Sequence, residues 1–290
     1  MATSGPNIRE LCDMLRQPST KVQAIAQLQD TFNRLVGFFL PDPQAFSDLL
    51  TDTGSVITGQ AALWFMMRDE RSPRPATLKL TCPLHEFDTV YAFLMQLPDA
   101  TVHPYHEDLF LSNENRVDYY GIRQRTCVKT AMGVIELLES ESHTAFHPIP
   151  FQHGTHMMNA LSPGHFISPY ASLTLNKIAF TPPLLIRHHN AELPTVDSTK
   201  FRLETYPLAV SDVGKTCYFF PACSKRIRTF ADEDCLTLSF STTPVETYHN
   251  IPMDATCTAW RQGGEPCGNS RCFLEMERKI ETELEFSPFA

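Results

Sequence analysis

A chain of 290 residues is long enough to bury a sizeable core, as one domain with appendages or as two. With 42% hydrophobic and 20% charged residues it has the composition of an ordinary globular protein, which excludes wholesale disorder. A net charge of -9 excludes broad electrostatic attraction to nucleic acid or to an anionic membrane, while leaving room for local basic pockets.

No apolar run approaches the roughly 20 residues of a membrane-spanning helix. The opening Met-Ala-Thr-Ser-Gly-Pro lacks the basic-then-apolar order of a signal peptide, so the expected location is cytoplasmic or nuclear. Nine cysteines, at 12, 82, 127, 217, 223, 235, 257, 267 and 272, are an odd number. In a reducing compartment they are expected to be free and buried, behaving as small hydrophobes, with no disulfide framework.

The first predicted elements are helical. Thr20-x-x-Gln23 has the form of a capping box. Val22, Ile25, Leu28, Phe32, Leu35 and Phe39 follow every three or four residues and predict one apolar stripe. Asp42 before Pro43 suits the N-cap and first turn of a short helix carrying Phe46, Leu49 and Leu50. Ser55 to Thr58 is β-branched enough for a short buried strand, punctuated by Gly54 and Gly59. Gln60 to Met67 is apolar almost all round, which predicts a buried helix. Arg68 to Pro75 is charged, contains two prolines and must be a loop. On the strand that follows, Thr77 and Lys79 share one face while Leu78 and Leu80 share the other.

Phe87, Val90, Leu94 and Leu97 mark a further amphipathic helix closed by Pro98. Asp99 to Asn115 is polar and irregular; its His103 and His106 are three apart, but Pro104 opposes a helix there. Val117 to Ile122 and Gln124 to Lys129 predict two strands around Gly121. Gly133 then leads into Val134 to Leu138, a strand apolar on both sides apart from Glu136. His153-Gly-Thr-His156 has a spacing that two metal-ligating imidazoles can use. The competing reading is a packed turn in which Thr155 and Asn159 satisfy backbone groups. Pro182-Pro183 and the stretch to Lys200 read as a boundary. Six of the nine cysteines lie beyond it, yet without the Cys-x2-Cys pairs usual for structural zinc. Leu236 to Phe240 alternates as a strand does, and Leu274 to Phe286 reads as an acidic helix that can pack through Met276, Ile280 and Leu284.

The stretch from Gly54 to Pro83 resembles the core of the nucleotidyltransferase fold. There, a strand ends in Gly-Ser or Gly-Gly at a helix start, and Asp-x-Asp or Asp-x-Glu follows on the next strand. More narrowly the chain is similar to uncharacterised fungal nucleotidyltransferase-like proteins, through Gly-Ser-Val-Ile-Thr-Gly-Gln, through Phe-His-Pro-Ile-Pro-Phe and Met-Met-Asn-Ala after Ala145, and through Asp234-Cys-Leu-Thr-Leu. The resemblance implies an α+β fold. A nucleotidyltransferase-like mixed sheet flanked by helices would span 53–185, after N-terminal helices at 1–52 that pack on it and before a Cys-containing α/β extension at 186–290. Gly59 matches the glycine turn, but Gln60 replaces the usual serine, and Thr77 and Lys79 stand where the two acids would be. In the superfamily those acids hold magnesium, which bridges nucleotide phosphates during in-line transfer. Magnesium wants hard oxygen ligands. Lys79 offers a cation instead, and two like charges about 4 Å apart repel by about 4 kcal/mol at a surface-like effective dielectric. Glu136 is the position that matches the superfamily's third carboxylate. Its other reading is an acid paired with Arg or Lys.

The expected function is therefore a catalytically silent nucleotidyltransferase-like module that binds a ligand or a protein, with no catalytic residue and no required cofactor. Gly59, Gln60, Thr77, Lys79, Arg74 and Arg125 are the candidates for holding a nucleotide phosphate or another anionic small molecule. The alternative is a magnesium-dependent transferase whose ligands have moved to Glu136, Asp118, Asp69 or Glu70. The competing reading of Lys79 is a solvated strand residue over a filled pocket, and a third expectation is a purely structural or interaction protein with no small-molecule site. No nucleophile elbow, His-Glu-x-x-His helix, Walker loop or Gly-x-Gly-x-x-Gly turn is present.

Overall fold

The side chain of Asn7 accepts hydrogen bonds from the amides of Arg9 at 2.9 Å and Glu10 at 3.0 Å, and Glu10 reaches back to the Asn7 amide at 2.7 Å. This reciprocal box starts α1 (Ile8–Arg16). One residue later, Pro18 opens α2 (Pro18–Val36). The box expected at Thr20 is corrected: Thr20 already lies within α2, and its hydroxyl donates to the Met14 carbonyl at 2.9 Å. Asp42 does cap α3 (Pro43–Thr53), accepting from the amides of Gln44 and Ala45, and Gly54 closes that helix at φ 64. In the computed structural model the described residues are 6–68, 73–102, 121–152, 154–181, 201–205, 226–241, 247–248, 251–256 and 258–260.

The chain continues through β1 (Val56–Thr58), α4 (Gly59–Met67), β2 (Thr77–Cys82), α5 (Phe87–Met95), β3 (Thr101–Val102), β4 (Ile122–Lys129) and β5 (Val134–Ser140). Two 3-10 turns, Ile149–Phe151 and Thr155–Met157, lead to β6 (Ala160–Leu161), β7 (His165–Ser168), α6 (Ala171–Leu175) and β8 (Ile178–Thr181). Short elements follow: β9 (Arg202–Thr205), β10 (Arg228–Thr229), β11 (Leu236–Ser239), β12 (Thr247–Tyr248), β13 (Ile251–Pro252), α7 (Met253–Thr256) and β14 (Ala259–Trp260). Of the predicted strand before Gly121, residues 117–120 lie outside the described ones, as do His103, His106, His153, the 182–200 stretch, the helix expected at 274–286 and Cys217, Cys223, Cys257, Cys267 and Cys272. Among the described residues no helix is long and apolar enough to cross a membrane.

The fold is α+β, with one mixed sheet flanked by helices. Among the described residues its eight strands run in the order β11-β7-β6-β1-β2-β5-β4-β3, and within this sheet only the β2–β5 pair is parallel; β8 and β9 form a separate parallel pair. Strand alternation sorts the side chains onto two faces. Ile57, Leu78, Leu80, Ile135, Leu137, Leu161, Phe166 and Leu238 face one core, where they meet Leu28, Phe32, Phe46, Phe65 and Val90 from α2–α5. On the other face Val56, Ala160 and Ile167 join Phe146, Tyr170, Phe180, Phe230 and Trp260 in a second core. Each fully buried aliphatic or aromatic side chain contributes about 1.5–3 kcal/mol relative to exposure, so two cores this size hold the sheet from both sides. At β2, β5 and β4 the second face turns from apolar to charged.

Candidate functional site: a cation–carboxylate row across the central strands

Register decides what meets on that face. Ala160 pairs with Thr58, Thr58 with Lys79, Lys79 with Glu136, and Glu136 with Cys127, which makes one row across β6, β1, β2, β5 and β4. Arg125 sits two residues before Cys127 on β4 and therefore on the same face. The Arg125 Nε lies 2.6 Å from Glu136 Oε1, and the Lys79 Nζ lies 3.6 Å from Glu136 Oε2. The two cations differ in their access to water: the Arg125 side chain is 6% exposed and that of Lys79 is 28% exposed. Among the described residues two cations face one carboxylate, so these three side chains together carry one positive charge in excess.

Gly59 shapes the neighbouring turn. It opens α4 at φ 65, a left-handed conformation that costs a side-chain-bearing residue about 1–2 kcal/mol. A Cβ there would stand 3.5 Å from Lys79 Cδ and 3.7 Å from Met157 Cε, so the Lys79 stem lies along the bare glycine. Thr58, just before it, spends its buried hydroxyl on Thr81 at 3.5 Å and does not cap α4. The first amides of α4 therefore lack a side-chain cap where the Lys79 stem passes, and a helix start has the polarity that favours an anion.

The structure thus brings Lys79, Glu136 and Arg125 together, with Gly59 alongside. Thr77 is half-buried on the Lys79 face and pairs in register with Val134. Gln60 is exposed in the first turn of α4. Arg74 is exposed in the loop ahead of β2 and makes no ion pair among the described residues. Asp69, Glu70 and Asp118 lie outside the described residues. Burial, with the Glu136 charge adding to it, pushes the Cys127 thiol up to about 11, so it stays protonated and poorly nucleophilic at neutral pH.

Magnesium does not fit this row. The one carboxylate already faces a guanidinium and an ammonium, and Thr77 adds a single neutral oxygen. Among the described residues no group of three or more His, Cys, Asp or Glu is placed to hold a metal ion. The turn around His156 is packed: Thr155 accepts from the Phe180 amide at 3.0 Å, Asn159 donates to the His156 carbonyl at 2.7 Å, and the His156 ring lies 4.8 Å from that of Phe201.

Two buried polar groups were not singled out in the sequence. Arg228 is fully buried, with its Nε 2.5 Å from Asp232 Oδ2, its Nη2 2.8 Å from the Pro169 carbonyl, and its guanidinium 4.8 Å from the Tyr170 ring centroid. The Arg-x3-Asp spacing was the available signal. Glu139 is buried at the far end of β5, accepts from the His85 amide at 2.9 Å and lies 3.7 Å from Arg123. No protein-family model, no curated protein and no solved structure matches the chain.

Proposed function

We propose that the protein is a catalytically silent, nucleotidyltransferase-like binding module that takes a phosphate-bearing small anion without magnesium. Three features support this reading: a strand that runs through a glycine turn into a buried helix, a next strand antiparallel to the first, and a later strand parallel to the second. The observation that carries it is Lys79, whose stem passes the uncapped start of α4 and whose partly exposed ammonium lies 3.6 Å from Glu136, with Arg125 adding positive charge on the same carboxylate. Lys79 would meet phosphate as a point charge, Gly59 leaves room for the Lys79 stem, and Gln60, Thr77 and Arg74 border the same end of the strands.

Isothermal titration with ATP and with inorganic pyrophosphate, each with and without magnesium, tests the reading. Binding is expected in the absence of magnesium, and Lys79→Met is expected to weaken it about tenfold or more, equivalent to about 1.4 kcal/mol. Binding that requires magnesium overturns it. So does nucleotide incorporation that depends on Glu136, since a transferase built there would need that carboxylate free of both cations.

A further inference from the structure

We propose that Glu136 is a resident competitor for the incoming anion: its outer oxygen holds the Lys79 ammonium until a ligand displaces it. The inference rests on the anion-binding reading and adds its regulation. The asymmetry of the ion pairs carries it. A buried guanidinium needs a counter-charge, and Glu136 Oε1, 2.6 Å from Arg125, supplies one. That need leaves Oε2 unexplained, 3.6 Å from the more exposed Lys79. A cation in that position is held loosely by a carboxylate it shares, and the Lys79 stem lies along Gly59 with no Cβ to wedge it in place. A bound phosphate oxygen would take over the ammonium while Arg125 keeps the carboxylate, so the exchange conserves every charge and leaves Glu136 partnered.

Neutralising Glu136 tests this, because the competitor disappears. Glu136→Gln is expected to bind inorganic pyrophosphate at least tenfold more tightly than the unaltered protein, without magnesium. That variant also raises the charge of the row, so the decisive protein is the double variant Arg125→Gln/Glu136→Gln, in which the row keeps its single excess positive charge. Tightening in the double variant supports competition. An unchanged affinity there shows that summed charge alone governs binding, and a weaker one shows that Glu136 or Arg125 positions the ligand; either overturns the inference while leaving the binding reading intact. Absence of pyrophosphate binding in all three proteins overturns both. Where neither variant folds, the 13C carboxyl resonance of Glu136 in the unaltered protein decides: it is expected to move on saturation with pyrophosphate, and an unmoved resonance on demonstrated binding overturns the exchange.

Discussion

Arg125 and Lys79 share one carboxylate on unequal terms, and the difference is measurable as stability. Removing the buried partner, Arg125→Met, leaves the buried Glu136 charge facing, among the described residues, the partly exposed Lys79 ammonium 3.6 Å away. The expected cost is about 3–5 kcal/mol, the range for stripping one member from a buried pair. Lys79→Met removes a partly exposed charge at 3.6 Å, and water already screens it. Its expected cost is below about 1 kcal/mol. Urea unfolding of the two variants at neutral pH checks the contrast, and equal losses would show that the row has no inner and outer cation. Lys79 and Glu136 are legible as chemistry in the sequence alone. Lys79 stood out because it occupies a position where an acid was expected, and Glu136 because it interrupts an otherwise apolar strand. Arg125 was visible only as one cation among several. Nothing local tells Arg125 from Arg74, because the distinction comes from the register of β4 on β5, which is set by contacts remote in sequence.

Elements with strong local signals formed where their residues put them. Asp42, Pro43 and Gly54 bracket α3, because a cap, a fixed φ and a left-handed stop each act within one turn. Thr20 misled for a related reason: Pro18 starts the helix two residues earlier, and a threonine hydroxyl inside a helix can still bond a preceding carbonyl. The Arg228–Asp232 pair ties the segment at 226–241 to the turn at Pro169 and Tyr170, and this tie has a pH signature. Burial by itself would raise the Asp232 carboxyl, but hydrogen bonds and charge from Arg228 outweigh it and hold the group below its ordinary value. A depressed carboxylate contributes stability that is complete above its unfolded value of about 3.9 and is lost as pH falls through the folded value beneath it. The unaltered protein is therefore expected to be more stable than Asp232→Asn at about pH 5, with the advantage shrinking steadily below about pH 4. Urea midpoints across that range test it, and a pH-independent difference would mean the pair is held by packing alone. Burial pushes the neighbouring Cys235 thiol up as well, so no thiolate competes for the guanidinium in this window.

At the scale of the molecule, the sheet joins parts of the chain that a linear reading separates. The alternation at Leu236 to Phe240 announces a strand, but not that β11 will pair with β7 and extend the central sheet. Phe240, just past β11, stacks 5.8 Å from Phe65 of α4, and Phe65 lies 5.4 Å from Phe166 of β7. Gln29 of α2 donates to the Phe240 carbonyl at 3.3 Å, so the first helices and a late strand meet over one core. Arg68, at the end of α4, reaches the Pro6 carbonyl at 3.1 Å and the Thr31 hydroxyl at 2.9 Å, fastening α1 and α2 to the same body. A fragment spanning 53–185 keeps the cation–carboxylate row but loses Leu28, Phe32, Phe46, Leu238 and Phe240 from the core that covers α4 and β2. Each lost contact exposes apolar surface worth about 25 cal/mol per Å², and a marginally stable fold has little reserve against several such losses. That fragment is expected to show no cooperative urea transition and to bind a hydrophobic dye, whereas the full chain is expected to unfold cooperatively. Pyrophosphate binding is expected to vanish with it, because the row depends on the register of β2, β5 and β4, and that register depends on the core beneath. A fragment that unfolds cooperatively and still binds would show that the site rests on the central strands alone.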